Sequence, residues 1–328
     1  MKLRRALVLL PALMIASGMA AWKRYIACSL TSSMLNRPEQ LKILSWNVAS
    51  LRSMLKRESG DELRKLVERE QPDITFLQEH KLQDIHVPKV APELLRIFDL
   101  ACPGESHRAT WAVSKARKGY SGVCAIYRQS VGGGVLRAAV GEVDEVDAAE
   151  GRSVRLDLQC GLIVVGIYSP NSGQRLARLD YRVSVWDSKL RSYLKKLDTE
   201  AGCEGGLLLC GDLNVAHEDI DFWNPTSART RRQAGTTPQE RQSFTAWLAE
   251  LDMIDMFRFK NPETEGVFTY WNRRTNGRPA NKGMRLDYFL GSRRLCSSSQ
   301  VAVSDCQVLG AFGGSDHCPI SCVVEVAK

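Results

Sequence analysis

Residues 207–214 read LLLCGDLN, an apolar run from Leu207 to Cys210 that leads through a glycine into Asp212 and Asn214. A brief apolar run that ends at Gly or Asp is typical of a buried β-strand. The same pattern recurs at Leu41–Trp46, Ile74–Leu77, Val123–Tyr127 and Leu162–Tyr168. The sequence therefore predicts a set of short, buried strands.

Helical spacing of apolar residues separates these strands. Three segments show this spacing: Asp61–Glu70, Leu176–Leu197 and Pro238–Leu251. Thr237 followed by proline is typical of a helix start. The arginine-rich stretch from Asn224 to Thr237 has neither pattern and is expected to be a long surface loop. We predict a single α/β domain over residues 39–328.

Polar side chains follow the predicted strands at the points where they end. They are Asn47, Gln78 with Glu79, Tyr168 with Asn171, and Asp212 with Asn214. A single acid after a strand is more often a turn residue than a ligand, so the inference depends on the whole set. If the strands point the same way, all of these groups gather on one rim, where active sites commonly form.

The chemistry of this set fits hydrolysis of a phosphate ester. Such a reaction requires lowering the barrier by up to ~20 kcal/mol, whereas one general base contributes a factor of roughly 10²–10⁴. Several groups and a metal ion are therefore needed. Glu79, Asp212 and Asp287 supply hard oxygen ligands, which suit Mg²⁺, and the sequence adds His317 near its end.

The net charge of +8 is concentrated at the amino terminus. Residues 1–38 contain six basic residues and no acidic one, so the remainder carries a net charge of only +2. Any surface for a polyanion must then be a local patch. The candidate patches are Arg175, Arg178 and Arg182; Arg229, Arg231 and Arg232; and Arg273, Arg274, Arg278, Lys282 and Arg285.

Residues 1–38 have the features of a targeting segment. A basic start precedes an apolar stretch from Ala6 to Ala16, which is short for a membrane span, and a Ser- and Thr-containing stretch without acids follows. We expect this leader to be disordered or cleaved. An intracellular protein addressed to the mitochondrion or another organelle is predicted, with the nucleus as the alternative.

The ten cysteines contain no CxxC pair and do not cluster with the five histidines. Zinc-site spacing is therefore absent, and no structural zinc is predicted. Cys124 and Cys210 lie inside apolar runs, which indicates free thiols packed in strands and a reducing compartment.

A resemblance to a known family rests on motifs that run from about Leu41 to Val324. They are Leu44-Ser-Trp-Asn47-Val, Leu77-Gln-Glu79, Gly119-Tyr-Ser-Gly-Val123, Tyr168-Ser-Pro-Asn171, Cys210-Gly-Asp212-Leu-Asn214-Val-Ala-His-Glu-Asp-Ile-Asp221, Thr237-Pro-Gln-Glu-Arg241, Arg285-Leu-Asp287-Tyr and Gly314-Ser-Asp316-His317. The chain resembles the exonuclease III and apurinic/apyrimidinic endonuclease family, within the endonuclease/exonuclease/phosphatase superfamily.

The resemblance implies a four-layer αββα sandwich with two packed mixed sheets. It also implies a Mg²⁺-dependent enzyme of base excision repair, with Mn²⁺ as a substitute metal, that acts as a monomer on double-stranded DNA containing abasic sites. The enzyme would hydrolyse the phosphodiester 5′ to the lesion and leave a 3′-hydroxyl. Further expectations are 3′-phosphodiesterase and 3′→5′ exonuclease activity, contacts with other repair proteins and residence in a DNA-containing compartment.

The resemblance also implies roles for individual residues. The metal set is Asn47, Glu79, Asp212, Asn214, Asp316 and His317. The catalytic set is Tyr168, Asn171, Asp212, Asn214, Asp287 and His317. Within it, Asp212 takes the proton of the attacking water or orients that water, and His317 contacts the phosphate. Asp287 is the expected carboxylate partner of His317, with Asp316 as the alternative.

The expected DNA contacts are Lys81, Arg152, Arg178, Tyr270, Trp271 and Met284. Met284 stands where animal members carry tryptophan, so a flexible thioether is expected to loosen the pocket wall. Ala49 replaces a polar residue, and Gln174 replaces an arginine that inserts into DNA. His80 replaces threonine after Glu79, and we expect a surface histidine there.

Two other functions fit parts of the sequence. One is a phosphatase or phosphodiesterase that acts on a lipid or inositol phosphate, which the apolar leader favours. The other is a catalytically silent nucleic-acid-binding or redox partner. The arginine-rich loops count against the first, and the complete set of Glu79, Asp212 and His317 counts against the second.

Overall fold

Alternate residues of the strand Leu162–Tyr168 belong to two different hydrophobic cores. Leu162 and Val164 pack on one face of the sheet, while Ile163 and Val165 pack on the other. Because successive side chains of a strand point to opposite faces, a strand that is apolar throughout requires a covering layer on each side. The sequence pattern of this strand therefore dictates a layered structure.

The computed structural model describes residues 39–56, 59–200, 202–297 and 299–327; the predicted leader, residues 1–38, lies outside them. Residues 40–326 form one compact unit. No helix in the described part of the chain is long and apolar enough to cross a membrane.

The strands are β1 Glu39–Asn47, β2 Ile74–Gln78, β3 His107–Ala112, β4 Val123–Arg128, β5 Val135–Val140, β6 Ser153–Leu158, β7 Leu162–Tyr168, β8 Gly206–Asp212, β9 Met253–Asp255, β10 Tyr270–Trp271, β11 Gly283–Met284, β12 Asp287–Ser292, β13 Val301–Val308 and β14 Ile320–Val326. Two six-stranded sheets contain most of them, in the orders β13-β14-β1-β2-β4-β3 and β5-β6-β7-β8-β12-β9, and β10 pairs with β11.

The helices are α1 Leu51–Lys56, α2 Ser59–Glu70, α3 Val87–Ala101, α4 Glu145–Glu150, α5 Asp187–Thr199, α6 Pro238–Glu250, α7 Met256–Lys260 and α8 Arg294–Ser297. A π-helical segment, Tyr181–Trp186, leads directly into α5. The start of α6 follows the sequence prediction, because the Thr237 hydroxyl accepts from the Glu240 backbone N–H and the Glu240 carboxylate accepts from that of Thr237.

Three hydrophobic cores separate four layers. The middle core lies between the two sheets and contains Phe76 of β2 and Val164 of β7. The outer face of the first sheet packs against α1, α2 and α3, and that of the second against α5 and α6. The predicted αββα sandwich of two mixed sheets is confirmed.

The central pair of each sheet is parallel, β1 with β2 and β7 with β8. The polar groups that follow these strands therefore emerge at the same end of their sheet, as the sequence predicted. The five predicted strands are present, with ends within two residues of those expected. The predicted helix Leu176–Leu197 instead contains a 3₁₀ turn, the π-helical segment and α5, because apolar spacing does not distinguish these helix types.

Gly166 of β7 determines how closely the two sheets approach. A Cβ atom at this position would lie 1.9 Å from Cδ1 of Phe76, a residue of the facing sheet with no exposed surface. No flexible side-chain end is involved, since the Phe76 ring fills the middle core. The sheets therefore require glycine here for lack of space.

We predict that Gly166→Ala lowers the free energy of unfolding by about 1–3 kcal/mol, the usual cost of overpacking a core. Denaturant titration monitored by circular dichroism measures this loss. A Gly166→Ala/Phe76→Leu double variant is expected to lose less than the sum of the two single variants, because the smaller side chain relieves the clash. Strictly additive losses would contradict the close contact.

Candidate active site

Strand ends from both sheets meet at one place. β1 ends at Asn47 and β8 ends at Asp212. Asp287, the first residue of β12, lies directly opposite Asp212 in the antiparallel register. His317 lies three residues before β14, the neighbour of β1. The two sheets thus bring residues from distant parts of the sequence to a common rim.

The Asn47 amide joins the acids of the two sheets. Its Nδ2 donates to Oε1 of Glu79 and to Oδ2 of Asp212, each at 2.9 Å. Its Oδ1 accepts from the backbone N–H of Ala49 at 3.0 Å, which orients the amide so that both donors face the carboxylates. Lys81 Nζ lies 2.7 Å from the other Glu79 oxygen. The backbone of Ala49 therefore orients Asn47, and this contact needs no polar side chain at position 49.

His317 and Asp287 form a buried pair, with Nδ1 of the imidazole 2.7 Å from Oδ2 of the carboxylate. Nε2 then faces Oδ2 of Asp212 at 3.7 Å. Burial disfavours the imidazolium, but the charges of Asp287 and Asp212 outweigh this effect and raise the pKa of His317 to about 10. Asp316 is half-buried and accepts from the Ser315 hydroxyl. Of the two expected partners, the structure thus places Asp287 on His317.

Asp212 is buried among polar groups that fix both of its oxygens. Oδ1 accepts from the backbone N–H of Asn214 at 2.9 Å, and Asn171 donates in turn to the Asn214 side-chain oxygen at 2.8 Å. Burial, together with the charge of Asp287, raises the pKa of Asp212 to about 7, although His317 opposes this shift. These contacts hold the carboxylate in one orientation at the floor of the site.

The donor set fits a hard divalent cation. One ligand atom each from Asp212, Asp287 and His317 lies within 4.8 Å of the others. Oδ1 of Asp287 is buried and has no hydrogen-bond partner among the described residues. Glu79 adds a carboxylate through Asn47. Carboxylate oxygens without a thiolate are the ligands that Mg²⁺ and Mn²⁺ prefer, and the His317 imidazole, paired with Asp287, lies beside them.

Two members of the expected metal set, Asn214 and Asp316, supply none of these three ligand atoms, although Asn214 is hydrogen-bonded to Asp212. The Asn214 side-chain oxygen already accepts from Asn171, and its Nδ2 donates to the Ser169 carbonyl at 2.9 Å. The Asp316 backbone carbonyl accepts from Trp271, which ties this segment to β10. Both residues support the shape of the site rather than joining the cluster of three ligand atoms.

Tyr168 lies beneath a buried guanidinium. The Arg152 guanidinium carbon is 4.9 Å from the centre of the Tyr168 ring, and Arg152 donates to the Tyr168 carbonyl at 2.9 Å, to Glu150 at 2.6 Å and to the Tyr120 hydroxyl at 2.6 Å. Arg178 donates to the same hydroxyl at 2.9 Å. Burial and nearby carboxylates raise the pKa of Tyr168 well above its ordinary value, so its phenol remains a donor.

Arg152 therefore differs from its expected place as a DNA contact. Its side chain is 1% exposed and its donors are occupied within the protein, which makes it a support for Tyr168. Arg178 and Lys81 remain partly exposed, at 37% and 31% of their side chains, as a contact with DNA requires.

An apolar cluster lies beside His317, and its half-buried members Tyr270 and Met284 form the surface of what we call the pocket. The Tyr270 ring lies 5.0 Å from the His317 ring, and Tyr270 and Met284 are paired residues of β10 and β11. Both pack against buried Phe222 and Leu286. The last two residues were absent from the sequence prediction, although their signal was present: each is an apolar residue directly beside a polar motif.

Trp271 lies outside this pocket. It is 6% exposed and packs with Phe268 and Cys318, and its indole N–H donates to the Asn281 side-chain oxygen at 3.1 Å. Its position differs from that of a DNA contact, and it supports the strand that carries Tyr270.

Two charged or titratable residues are buried contrary to expectation. His80 has no exposed surface: its Nε2 lies 3.0 Å from the Ala112 carbonyl, and its Nδ1 accepts from the Leu82 backbone N–H. Burial lowers its pKa to about 4, so the imidazole is neutral. The prediction that His80 is a surface residue is therefore wrong. Arg182, a candidate for a surface patch, is 2% exposed and donates to the Leu213 carbonyl at 2.7 Å.

A buried ion network connects the segment before Phe222 to the start of β12. Arg285, another patch candidate, is 1% exposed and makes two hydrogen bonds of 2.9 Å to Asp221. It also pairs with Asp255 at 2.6 Å, while Arg258 donates to Asp221 at 2.6 Å. Because Asp221 immediately precedes Phe222, the network fixes one side of the pocket relative to β12.

Comparison with known proteins agrees with this geometry. A family model described as the Endonuclease/Exonuclease/phosphatase family matches residues 44–317. The chain is 35% identical to an exodeoxyribonuclease of Bacillus subtilis over 286 residues, 87% of this chain and 100% of that protein. It is 37% identical to DNA repair nuclease APEX1 of Danio rerio over 290 residues, 88% of this chain and 84% of that one.

Among solved structures, the AP endonuclease LMAP from Leishmania major has a TM-score of 0.73 and 32% sequence identity, with 88% of each chain covered. The chain belongs to the endonuclease/exonuclease/phosphatase family. The resemblance seen in the sequence motifs is confirmed. Nucleases of this family depend on a divalent metal, in agreement with the buried cluster of acids and histidine.

We predict that Arg285→Met lowers the free energy of unfolding by about 3–5 kcal/mol, because it leaves the carboxylates of Asp221 and Asp255 buried without their principal partner. Guanidinium titration measures the loss. The matched control is Arg293→Met, which removes an arginine that is 64% exposed and paired with Asp252; it is expected to cost about 1 kcal/mol at most. Equal losses in the two variants would contradict the structural role of the network.

Proposed function

We propose that this chain is a Mg²⁺-dependent endonuclease of base excision repair that hydrolyses the phosphodiester 5′ to abasic sites in duplex DNA and leaves a 3′-hydroxyl. The observation that carries the proposal is the buried site in which Asn47 joins Glu79 to Asp212 while Asp287 holds His317. Relatives named as a DNA repair nuclease and as a DNA-(apurinic or apyrimidinic site) endonuclease support the choice of substrate.

The residues that would hold the metal are Glu79, Asp212 and Asp287, with Asn47 and His317 beside them. A bound Mg²⁺ would neutralise phosphate charge and polarise the phosphodiester, and Mn²⁺ has the same preference for oxygen ligands. Three carboxylates this close repel one another, so a divalent cation also stabilises the arrangement.

The phosphate is held by donors from both sheets. The Nδ1–H group of His317 donates to Asp287, so its Nε2 is directed into the site, where a phosphate oxygen can accept from it. The phenol of Tyr168 and the amide of Asn171 are further donors on the opposite side. Donors that are fixed before the substrate binds stabilise charge that develops on the phosphorus oxygens.

Asp212 is the group that takes the proton of the attacking water or orients that water. The backbone N–H of Asn214 and the Asn47 amide hold its two oxygens, so the carboxylate needs no reorganisation as the reaction proceeds. A positioned general base of this kind contributes a factor of roughly 10²–10⁴ in rate.

The pocket of Phe222, Tyr270, Met284 and Leu286 supplies specificity. A sugar that has lost its base leaves the helical stack at little cost and presents the C–H face of its ring, which apolar side chains can contact. Because Tyr270 contacts His317, a sugar in the pocket lies beside the phosphate that is cut.

The proposal extends to 3′-phosphodiesterase and 3′→5′ exonuclease activity, because both reactions cut a phosphodiester at the same groups. The exodeoxyribonuclease of Bacillus subtilis among the relatives supports this extension. We further propose that the protein acts as a monomer alongside other base-excision-repair proteins in an organelle that contains DNA. The basic, acid-free segment 1–38 supports an organellar address.

Duplex DNA with a single abasic analogue tests the proposed function. We expect the purified protein to nick the lesion strand 5′ to the analogue when Mg²⁺ is present and to stop when EDTA removes the metal. Gel electrophoresis with 3′-end analysis identifies the product. No nicking in Mg²⁺, together with phosphate release from an inositol phosphate, would overturn the proposal in favour of a phosphatase.

Asp212→Asn is expected to lower kcat for nicking by about 10²–10⁴, the contribution of a positioned general base, with little change in KM. The isosteric amide keeps the site filled, and circular dichroism verifies the fold. Asp252→Asn is the matched control, because Asp252 is 61% exposed and pairs with Arg293 beyond the opposite end of β12. An Asp212→Asn protein with the wild-type kcat would contradict the assigned role.

A further inference from the structure

Trp223 is the most exposed tryptophan of the described residues, with 41% of its surface accessible. It directly follows Phe222, which lines the apolar pocket. The Trp223 backbone N–H donates to the Gly283 carbonyl at 2.9 Å, and Phe222 forms a β-bridge with Met284. We call the paired segments Phe222–Trp223 and Gly283–Met284 the pocket wall. The exposed ring of Trp223 belongs to this wall, next to the proposed site.

Alternation along the chain places Trp223 on the far side of that wall. Phe222 has an extended backbone, with φ −149° and ψ 149°, so successive side chains point to opposite faces. Phe222 is directed into the pocket with Tyr270 and Met284, whereas Trp223 is directed away from it. The wall thus has an enclosed apolar face and an exposed aromatic face, separated by the thickness of one strand.

A lysine accompanies the exposed ring. The Lys282 ammonium lies 4.9 Å from the centre of the Trp223 ring, and among the described residues no carboxylate lies within ion-pair distance of it. Residues 272–282, which connect β10 to β11, contain four basic residues and no acidic one. A polyanion is therefore the partner that the charge of this surface favours.

We propose that Trp223 and Lys282 form a nucleotide subsite of this enzyme: the indole stacks on the base next to the abasic sugar, and the ammonium pairs with the phosphate of that nucleotide. This inference rests on the proposed function. A strand that places its sugar against one face of the wall can pass over the edge of the wall, so that its next nucleotide meets the other face. Aromatic rings with neighbouring cations are the usual platform for unpaired or displaced bases.

Kinetics on an abasic duplex test the subsite. Trp223→Ala is expected to raise KM by about tenfold or more, the usual effect of losing one stacked base, while kcat is retained. Trp223→Phe should restore most of the loss, because a phenyl ring still stacks. Lys282→Gln should raise KM and lower the slope of log KM against log salt concentration by about one.

The matched control is Phe259→Ala. Phe259 is 47% exposed with the Lys260 ammonium 5.4 Å from its ring, but it belongs to α7 rather than to the pocket wall. Its KM is expected to equal that of the wild type. An equal rise in KM in both alanine variants would overturn the subsite, because the effect would then follow from losing any exposed aromatic ring.

Fluorescence supplies a readout that a purely structural role would not change. The Asp212→Asn protein, titrated in Mg²⁺ with an abasic-analogue duplex, should show saturable quenching of tryptophan emission, and Asp212→Asn/Trp223→Phe should lose that quenching. Unchanged quenching with unchanged KM in Trp223→Ala would overturn the subsite. Failure of the proposed function appears differently, as an absence of nicking by the wild-type protein.

Discussion

The two hydrogen bonds from the Asn47 amide hold the site together, because they connect the last residue of β1 to acids that belong to both sheets. Glu79 follows β2 of the first sheet, and Asp212 ends β8 of the second. The middle core fixes the distance between the sheets. The Asn47 amide, bonded to an acid of each sheet, then fixes the separation of the Glu79 and Asp212 carboxylates. The chemistry of the rim therefore depends on the packing of the core below it.

Left-handed backbone conformations occur where the strands meet this rim. Glu79, Lys81 and Asn214 have φ values of 53°, 55° and 51°, a region that non-glycine residues rarely adopt. Each turns the chain sharply after a strand, so that a side chain enters the site instead of continuing the sheet. Such conformations cost roughly 1–3 kcal/mol each and persist only where the surroundings impose them. The buried network of Asn47 and its acids provides that constraint.

The sequence predicted the parts of the fold and the site that depend on local pattern. Apolar runs located the strands, and the polar residues after them located the rim, because both signals lie within a few neighbouring residues. Contacts between segments that are distant in the sequence were harder to predict. Asp287 as the partner of His317 required a resemblance as well as the sequence. Phe222 directly follows the polar motif that ends at Asp221, but its partners in the cluster come from other parts of the chain, and it was missed.

The burial of arginine side chains was the other property that could not be predicted from the sequence. The resemblance assigned Arg152 to a DNA contact, and the basic runs placed Arg182 and Arg285 in surface patches, since charged residues are usually solvated. In the structure each is at most 2% exposed, and each is paired with a carboxylate: Glu150, Asp187 and Asp221 respectively.

These internal pairs remove three arginines from the basic surface that the sequence pattern indicates. The surface available to a polyanion therefore depends on which cations are exposed, and not on the count of basic residues. Lys282 is such a cation, and it lies against Trp223 on the wall of the pocket. Met284 lies in the same wall, so the exposed ring, the cation and the flexible thioether are carried by two adjacent segments, residues 222–223 and 282–284.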